Sequence, residues 1–209
     1  SSLTPALHPL LSRLRDVFDL HARPDVIDKH LSGEPQLAQL VNRRPGLRVP
    51  GAFDGFELAW RAVLGQQVSV RGASTLAGRL AERFGADVQT PFSSLSRLTP
   101  TVRSIADARP SGIGAIGIPS ARARSIRDLA ALCVAEPSLL RPGSLVRQSA
   151  ARLLAVSGLG PWTASYIAMR ALRWPDAFPE TDLGIRHALG LKRQLDIVRA
   201  AQPWRPWRA

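Results

Sequence analysis

Apolar residues recur at helical spacing along most of this chain, and few stretches alternate apolar and polar residues as half-buried strands do. Residues 42–55 are rich in turn-forming residues and are predicted to be a long connection. The pattern predicts an all-α fold, a two-lobed bundle of about eight helices. The predicted helices cover 6–20, 56–64, 73–84, a stretch around 126–133, a stretch from Ser144 to Leu154, Pro161 to about Leu172, a short stretch from Asp182, and 193–201.

Several residues are typical of helix ends. Asp54 is predicted to cap the helix that carries Phe56 and Trp60, and Gly85 is predicted to end the next one. Proline at the first helical position removes an amide that has no partner there, so Pro161 is predicted to begin a helix. Ser144 and Asp182 are both predicted to be N-caps.

The composition limits the classes of protein that fit. No run of 18 apolar residues and no signal-peptide pattern is present, so we expect a cytoplasmic protein without a membrane span. The single cysteine, Cys133, excludes an internal disulfide and is predicted to be a small core residue. The four histidines share no metal-ligand spacing; they are His8, His21, His30 and His187.

The net charge is +12, which predicts attraction to polyanions such as nucleic acid. Lysine occurs only at Lys29 and Lys192, so 26 of the 28 cationic residues are arginine. An arginine-rich and alanine-rich chain is also what a GC-rich genome produces, and no block of five like charges occurs. Charge alone therefore leaves both interpretations open.

A glycine-rich turn, Ser157 to Gly160, joins two predicted helices. Glycine permits a positive φ, which leaves amide groups exposed near a helix N-terminus, where a phosphate oxygen can bind. Backbone carbonyls on the other side of such a turn can hold a cation. A plain helix–helix turn is the alternative interpretation of the same residues.

Asp182 follows Gly160 by 22 residues, so a helix and a return loop would bring it back beside the turn. It is either a plain helix cap or a carboxylate that stays negative beside a developing cation. The residue types alone do not separate it from Glu180. Trp162 and Tyr166 share one helical face and are either core residues or a stacking surface for a flat cationic ligand.

A second glycine pattern, "GIGAIG" at residues 112–117, matches the dinucleotide-binding fingerprint. No apolar β-branched strand precedes it, and Pro119 lies before the next predicted helix. A dinucleotide site is therefore disfavoured.

The run "LLAVSGLGPWTASYIAMRAL…DAFPETD" resembles the helix-hairpin-helix DNA glycosylase superfamily, and "FDGFELAWRAVLGQQVSVRGASTLAGRLAERFG" resembles its AlkA-type 3-methyladenine DNA glycosylases. The resemblance begins at about residue 10 and covers most of the chain. It implies a monofunctional enzyme that excises alkylated bases such as 3-methyladenine, with Asp182 as the catalytic aspartate. Trp162 stands where the strand-cleaving members have a lysine, and the single cysteine excludes the iron–sulfur members.

The resemblance also implies roles for residues around the turn. Trp162 and Tyr166 would line the pocket for the flipped base, and Gln67 would lie at the position of the residue that fills the gap in the duplex. No cofactor is required, but a structural Na⁺ or K⁺ would bind the backbone carbonyls of Leu154, Val156 and Gly158. The DNA-gripping hairpin would comprise Ser157, Gly158, Leu159 and Gly160.

The expected organisation is an N-terminal helical segment, residues 1–50, followed by the glycosylase core, residues 51–209. Relative to the family, the chain starts after a small β-rich domain and stops before a last helix, which would leave Trp204 and Trp207 near an open edge. The expected partner is double-stranded DNA with alkylated bases, bound by a monomer. The alternatives are a non-catalytic helix-hairpin-helix module, an inactive truncated relative, and a protein-interaction domain with incidental charge.

Overall fold

The computed structural model describes residues 4–209, within which the chain is helical and forms no β-strand beyond an isolated bridge between Asp87 and Arg97. Twelve helices, more than the sequence pattern predicts, lie within these residues. They are α1 (Thr4–Val17), α2 (Pro24–Leu31), α3 (Pro35–Arg43), α4 (Gly55–Leu64), α5 (Val70–Phe84), α6 (Val102–Ala106), α7 (Pro110–Gly114), α8 (Ser120–Ala135), α9 (Val146–Leu154), α10 (Pro161–Arg170), α11 (Leu183–Leu189) and α12 (Gln194–Ala200).

Helix α4 is the centre of the main hydrophobic core and contacts α5, α8 and α10. Trp60, Val63 and Leu64 are fully buried on it. The side chain of Asp54 accepts a hydrogen bond from the amide of Glu57 at 2.7 Å, as the predicted N-cap requires. Burial of whole aromatic and aliphatic side chains contributes about 1.5–3 kcal/mol each. Helix α4 therefore contributes strongly to the stability of the core against which α10 packs.

The N-terminal segment contains α1, α2 and α3, none of which has a buried residue. The structure confirms the first predicted helix with shifted ends, and it adds α2 and α3, which the apolar pattern did not predict. The segment is fastened to the rest of the protein by polar contacts. The amide of Gly51 donates to the carbonyl of Val17 at 2.8 Å, and Arg173 on the loop after α10 pairs with Asp16 and with Asp19, the latter at 3.1 Å.

Two local expectations were wrong. Ser144 is not an N-cap: Leu145 occupies that position of α9, without a side-chain hydrogen bond, while the Ser144 hydroxyl lies 3.3 Å from that of Ser149. The expected open edge at the C-terminus is also wrong for Trp204. That indole is 8% exposed and packs edge-on against Phe178, with ring centroids 6.1 Å apart. Trp207 is partly buried and contacts His30.

The structure confirms the expectation for Cys133 and also bears on the glycine pattern and on membrane spans. Residues 112–114 of the glycine pattern lie in α7, which no strand of the described chain precedes, so the geometry of a dinucleotide site is absent there. Cys133 is a buried core residue, and its burial raises the pKa of the thiol from 9.0 to about 12. Among residues 4–209, no helix is long and apolar enough to cross a membrane.

Candidate functional site

The carboxylate of Asp182 caps α11 and contacts the helix that follows the glycine turn. Its Oδ1 accepts hydrogen bonds from the amides of Gly184 and Ile185, at 2.7 and 3.2 Å. Its Oδ2 accepts the indole N–H of Trp162 at 2.7 Å. The N-cap interpretation is confirmed: the cap bonds use one oxygen, and the other faces Trp162. Three N–H donors thus contact this partly exposed carboxylate.

The same contacts separate Asp182 from the competing carboxylate. Trp162 lies in the first turn of α10, two residues after Gly160, so its bond brings Asp182 beside the turn. Glu180 instead accepts a hydrogen bond from the side chain of Gln194 on α12 at 3.1 Å. Of the two carboxylates, Asp182 is therefore the one that lies beside the turn.

Trp162 and Tyr166 stack on each other, with ring centroids 5.2 Å apart and an interplanar angle of 8°. Both are partly exposed, and Tyr166 also packs against the main hydrophobic core. One turn further along α10, the guanidinium of Arg170 lies 5.6 Å from the centroid of Tyr166. Because the two rings touch, a flat ligand could stack on an outer face of the pair but could not enter between them.

The turn from α9 to α10 has the left-handed glycine that the sequence predicts. Gly158 has a φ of +86°, and a Cβ built there would lie 2.2 Å from the hydroxyl oxygen of Ser125 on α8. That hydroxyl contacts the carbonyl of Ser157 at 2.7 Å. Val156 and Leu159 bury the underside of the turn, at 9% and 4% exposed. Only glycine fits at position 158, because the backbone conformation and the close approach of Ser125 both exclude a side chain.

The outer side of the turn offers free donors. Among the hydrogen bonds of residues 4–209, the amides of Gly158 and Gly160 donate to no protein acceptor. Both residues are exposed, so these amides are accessible to a ligand. Two exposed amides before a helix N-terminus are a suitable binding place for an anion. The carbonyl of Val156 accepts the amide of Leu159 at 3.1 Å, and that of Gly158 accepts the side chain of Gln66 at 3.1 Å.

Gln67 lies in the short turn between α4 and α5 and has a left-handed backbone, with a φ of +56°. Its side chain is exposed, as is that of Val70 at the start of α5. The preceding residue, Gln66, reaches the α9–α10 turn, and Arg122 on α8 donates to the carbonyl of Gln66 at 2.6 Å. A non-glycine residue in this conformation costs about 1–3 kcal/mol and persists where the surroundings impose it.

Replacing Gln67 by Gly is therefore expected to raise the free energy of unfolding by about 1 kcal/mol, since glycine adopts a positive φ without strain. Chemical denaturation followed by circular dichroism measures this change. Gln148→Gly is the matched control within α9, where glycine should instead lower the stability by up to about 1 kcal/mol. A loss of stability in both variants would show that the turn at Gln67 is unstrained.

Sequence reasoning missed the residues that hold these parts together. They are Gln66, Arg122, Ser125 and Thr163, and each makes its contact across 32 to 97 positions of the chain. Helical periodicity carries no information about such pairs. The one available signal is the polar pair of glutamines at 66–67, which Gly65 separates from the apolar end of α4.

The profile of the HhH-GPD superfamily of base excision DNA repair proteins matches residues 60–198, and that of the AlkA N-terminal domain matches residues 1–54. The chain is 41% identical over 203 residues to a probable bifunctional transcriptional activator/DNA repair enzyme AlkA of Mycobacterium tuberculosis, and this match covers 95% of the chain. The chain spans 40% of the length of that relative. The predicted domain boundary at residue 50 stays a prediction.

Two further similarities concern proteins named 3-methyladenine glycosylases. DNA-3-methyladenine glycosylase 2 of Escherichia coli is 33% identical over 210 residues, a match that covers the whole chain and 71% of the relative. The 3-methyladenine DNA-glycosylase of Archaeoglobus fulgidus has a solved structure with a TM-score of 0.80 and 24% identity. This match covers 98% of the chain and 72% of the archaeal one, and it shows that the two share a fold.

Proposed function

The chain belongs to the HhH-GPD superfamily of base excision DNA repair proteins, and from that membership we propose that it is a DNA glycosylase acting on alkylated bases such as 3-methyladenine. The observation that carries the proposal is the 2.7 Å bond between Trp162 and Asp182. It holds a carboxylate beside a stacked aromatic pair, in the helix that begins directly after the hairpin. The two relatives named 3-methyladenine glycosylases support the choice of substrate.

Asp182 is proposed to act by charge. An alkylated base carries a positive charge, so it leaves with the electron pair of the N-glycosidic bond and becomes neutral. The sugar meanwhile acquires oxocarbenium character, which an adjacent carboxylate stabilises. A water molecule then bonds to the anomeric carbon and loses a proton to solvent, and the products are a free base and an abasic site. Because Trp162 replaces the lysine of strand-cleaving members, the reaction ends there.

The aromatic pair is proposed to receive the flipped base. Stacked Trp162 and Tyr166 form one wall, on which an electron-poor ring stacks more favourably than a neutral one. This preference would add to the better leaving ability of alkylated bases. Gln67, exposed on the α4–α5 turn, is proposed to fill the gap that the flipped nucleotide leaves in the duplex.

The hairpin from Ser157 to Gly160 is proposed to bind the DNA backbone through the free amides of Gly158 and Gly160. The carbonyls of Leu154, Val156 and Gly158 are proposed to bind an alkali cation, which takes oxygen ligands of this kind. Of these, the Val156 and Gly158 carbonyls each keep one lone pair after their protein hydrogen bonds. Such a cation would add positive charge next to the phosphate. Among residues 4–209, no cluster of three acidic, histidine or cysteine side chains offers an alternative metal site.

Base release from methylated duplex DNA tests this function. We expect free 3-methyladenine and alkali-labile abasic sites with no metal cofactor added. Binding to the same duplex should weaken with salt, and should be weaker in tetramethylammonium than in potassium chloride at equal ionic strength, because the larger cation does not fit the carbonyl set. Salt-dependent binding without base release would instead support a non-catalytic DNA-binding module. Equal binding in the two salts would contradict the cation site.

A further inference from the structure

The turn between α4 and α5 is connected to the hairpin by a single side chain. The Nε2 group of Gln66 donates to the carbonyl of Gly158 at 3.1 Å and to the hydroxyl of Thr163 at 2.9 Å. Thr163 lies in the first turn of α10 and is 2% exposed. The two hydrogens of one amide group thus reach both the hairpin and the helix that carries Trp162.

The backbone of Gln66 is held as well. Arg122 at the start of α8 donates to its carbonyl at 2.6 Å, and Ser125 on the same helix contacts the Ser157 carbonyl of the hairpin at 2.7 Å. Helix α8 therefore supports the α4–α5 turn with one residue and the hairpin with another. These bonds hold Gln66 directly before Gln67, whose backbone is left-handed with a φ of +56°.

We propose that Gln66 is a positioning residue that holds the exposed side chain of Gln67 at a fixed distance from the hairpin. The residue that fills the duplex gap and the hairpin that binds the DNA backbone would then keep one spacing. This inference rests on the proposed function, because it assigns Gln67 to the duplex gap. It adds that the spacing is set by an amide, which donates two hydrogen bonds. A side chain of similar length without donors would leave the Gly158 carbonyl and the Thr163 hydroxyl without this partner.

The inference predicts energetic coupling between the neighbouring residues Gln66 and Gln67, which have different roles. If Gln66 acts through Gln67, its loss matters only while Gln67 is present to be positioned. If it merely stabilises the hairpin, its loss costs the same whether Gln67 is present or not. A double-mutant cycle distinguishes the two roles.

The experiment measures the binding preference for a duplex with a tetrahydrofuran abasic-site analogue over the same duplex intact. Gln66→Met should reduce this preference about tenfold in the wild-type background and less than about twofold in Gln67→Ala. Gln148→Met, on the exposed side of α9, is the matched control and should leave the preference unchanged. Thr163→Val removes one of the two bonds and should reduce the binding preference about threefold. It provides a second test if Gln66→Met folds poorly.

Equal losses in both backgrounds, or no loss in either, would overturn the coupling. A wild-type protein with no preference for the abasic duplex would overturn the role of Gln67 and the coupling with it. Base release is measured separately. A wild type that prefers the abasic duplex but releases no base would contradict the proposed function and leave the coupling measurable by binding alone.

Discussion

An Asp182→Asn protein is expected to release 3-methyladenine from methylated duplex DNA about a thousandfold more slowly than wild type, because it lacks the negative charge that stabilises the sugar cation. Asparagine keeps the shape of aspartate and is an equally good N-cap, so the bonds to Gly184 and Ile185 can persist. With its amide oxygen on the cap, the amide nitrogen faces the indole N–H of Trp162, so this one bond is lost. Because the cap is retained, folding and DNA binding should be nearly unchanged, and the loss should appear in single-turnover release rates.

Glu180→Gln is the matched control, since it makes the same carboxylate-to-amide change two residues earlier, where the partner is Gln194. Its release rate should stay close to that of wild type. Release by Asp182→Asn at a comparable rate would remove Asp182 from the reaction. A slow Glu180→Gln protein together with an active Asp182→Asn protein would transfer the role to Glu180.

The sequence predicted the elements whose signals are local. Asp54 and Asp182 are N-caps because an aspartate before an apolar helical run accepts the unpaired amides of the first turn, and both caps are present. Helices α2 and α3 escaped prediction for a related reason. They are eight and nine residues long and bury no side chain, so no extended apolar stripe marks them.

The parts of the candidate site that the sequence could not place depend on distant pairs. Residue type left Asp182 and Glu180 equivalent, and the indole of Trp162 distinguishes them only in the folded chain. The hydrogen bond from Gln66 to the hairpin has no periodic signature in the sequence. The resemblance to a known family indicated which residues carry chemistry. The contacts show how neighbouring residues hold them in place.

The C-terminal tail shows how an expectation can fail on a long-range contact. Trp204 was expected at an open edge but is buried against Phe178, in a small core cluster that also includes Ile197 and Ala201. Near the end of the tail, Arg208 donates two hydrogen bonds to the carboxylate of Asp176, at 2.6 and 2.9 Å. The tail is therefore attached to the loop between α10 and α11, which leads to Asp182.

Replacing Asp176 by Asn is expected to lower the free energy of unfolding by about 3 kcal/mol, because it leaves a largely buried guanidinium without its counter-charge. The side chains of Asp176 and Arg208 are 6% and 12% exposed, and Arg205 adds a second cation 2.9 Å from the same carboxylate. Urea denaturation of the variant and wild type measures the loss. The position of Asp182 depends on this loop, so base release should also fall at temperatures where the variant remains folded.

The exposed ion pair of Asp87 and Arg97 provides the control for this substitution. Its atoms lie 3.2 Å apart, but the side chain of Asp87 is 84% exposed, so Asp87→Asn should cost no more than about 1 kcal/mol. In the Asp176→Asn background, Arg208→Ala should cost much less than it does alone, because the charge pair is already broken. Additive losses would mean that Arg208 stabilises the tail by packing on Phe178, whose ring centroid lies 5.7 Å from its guanidinium, rather than through Asp176.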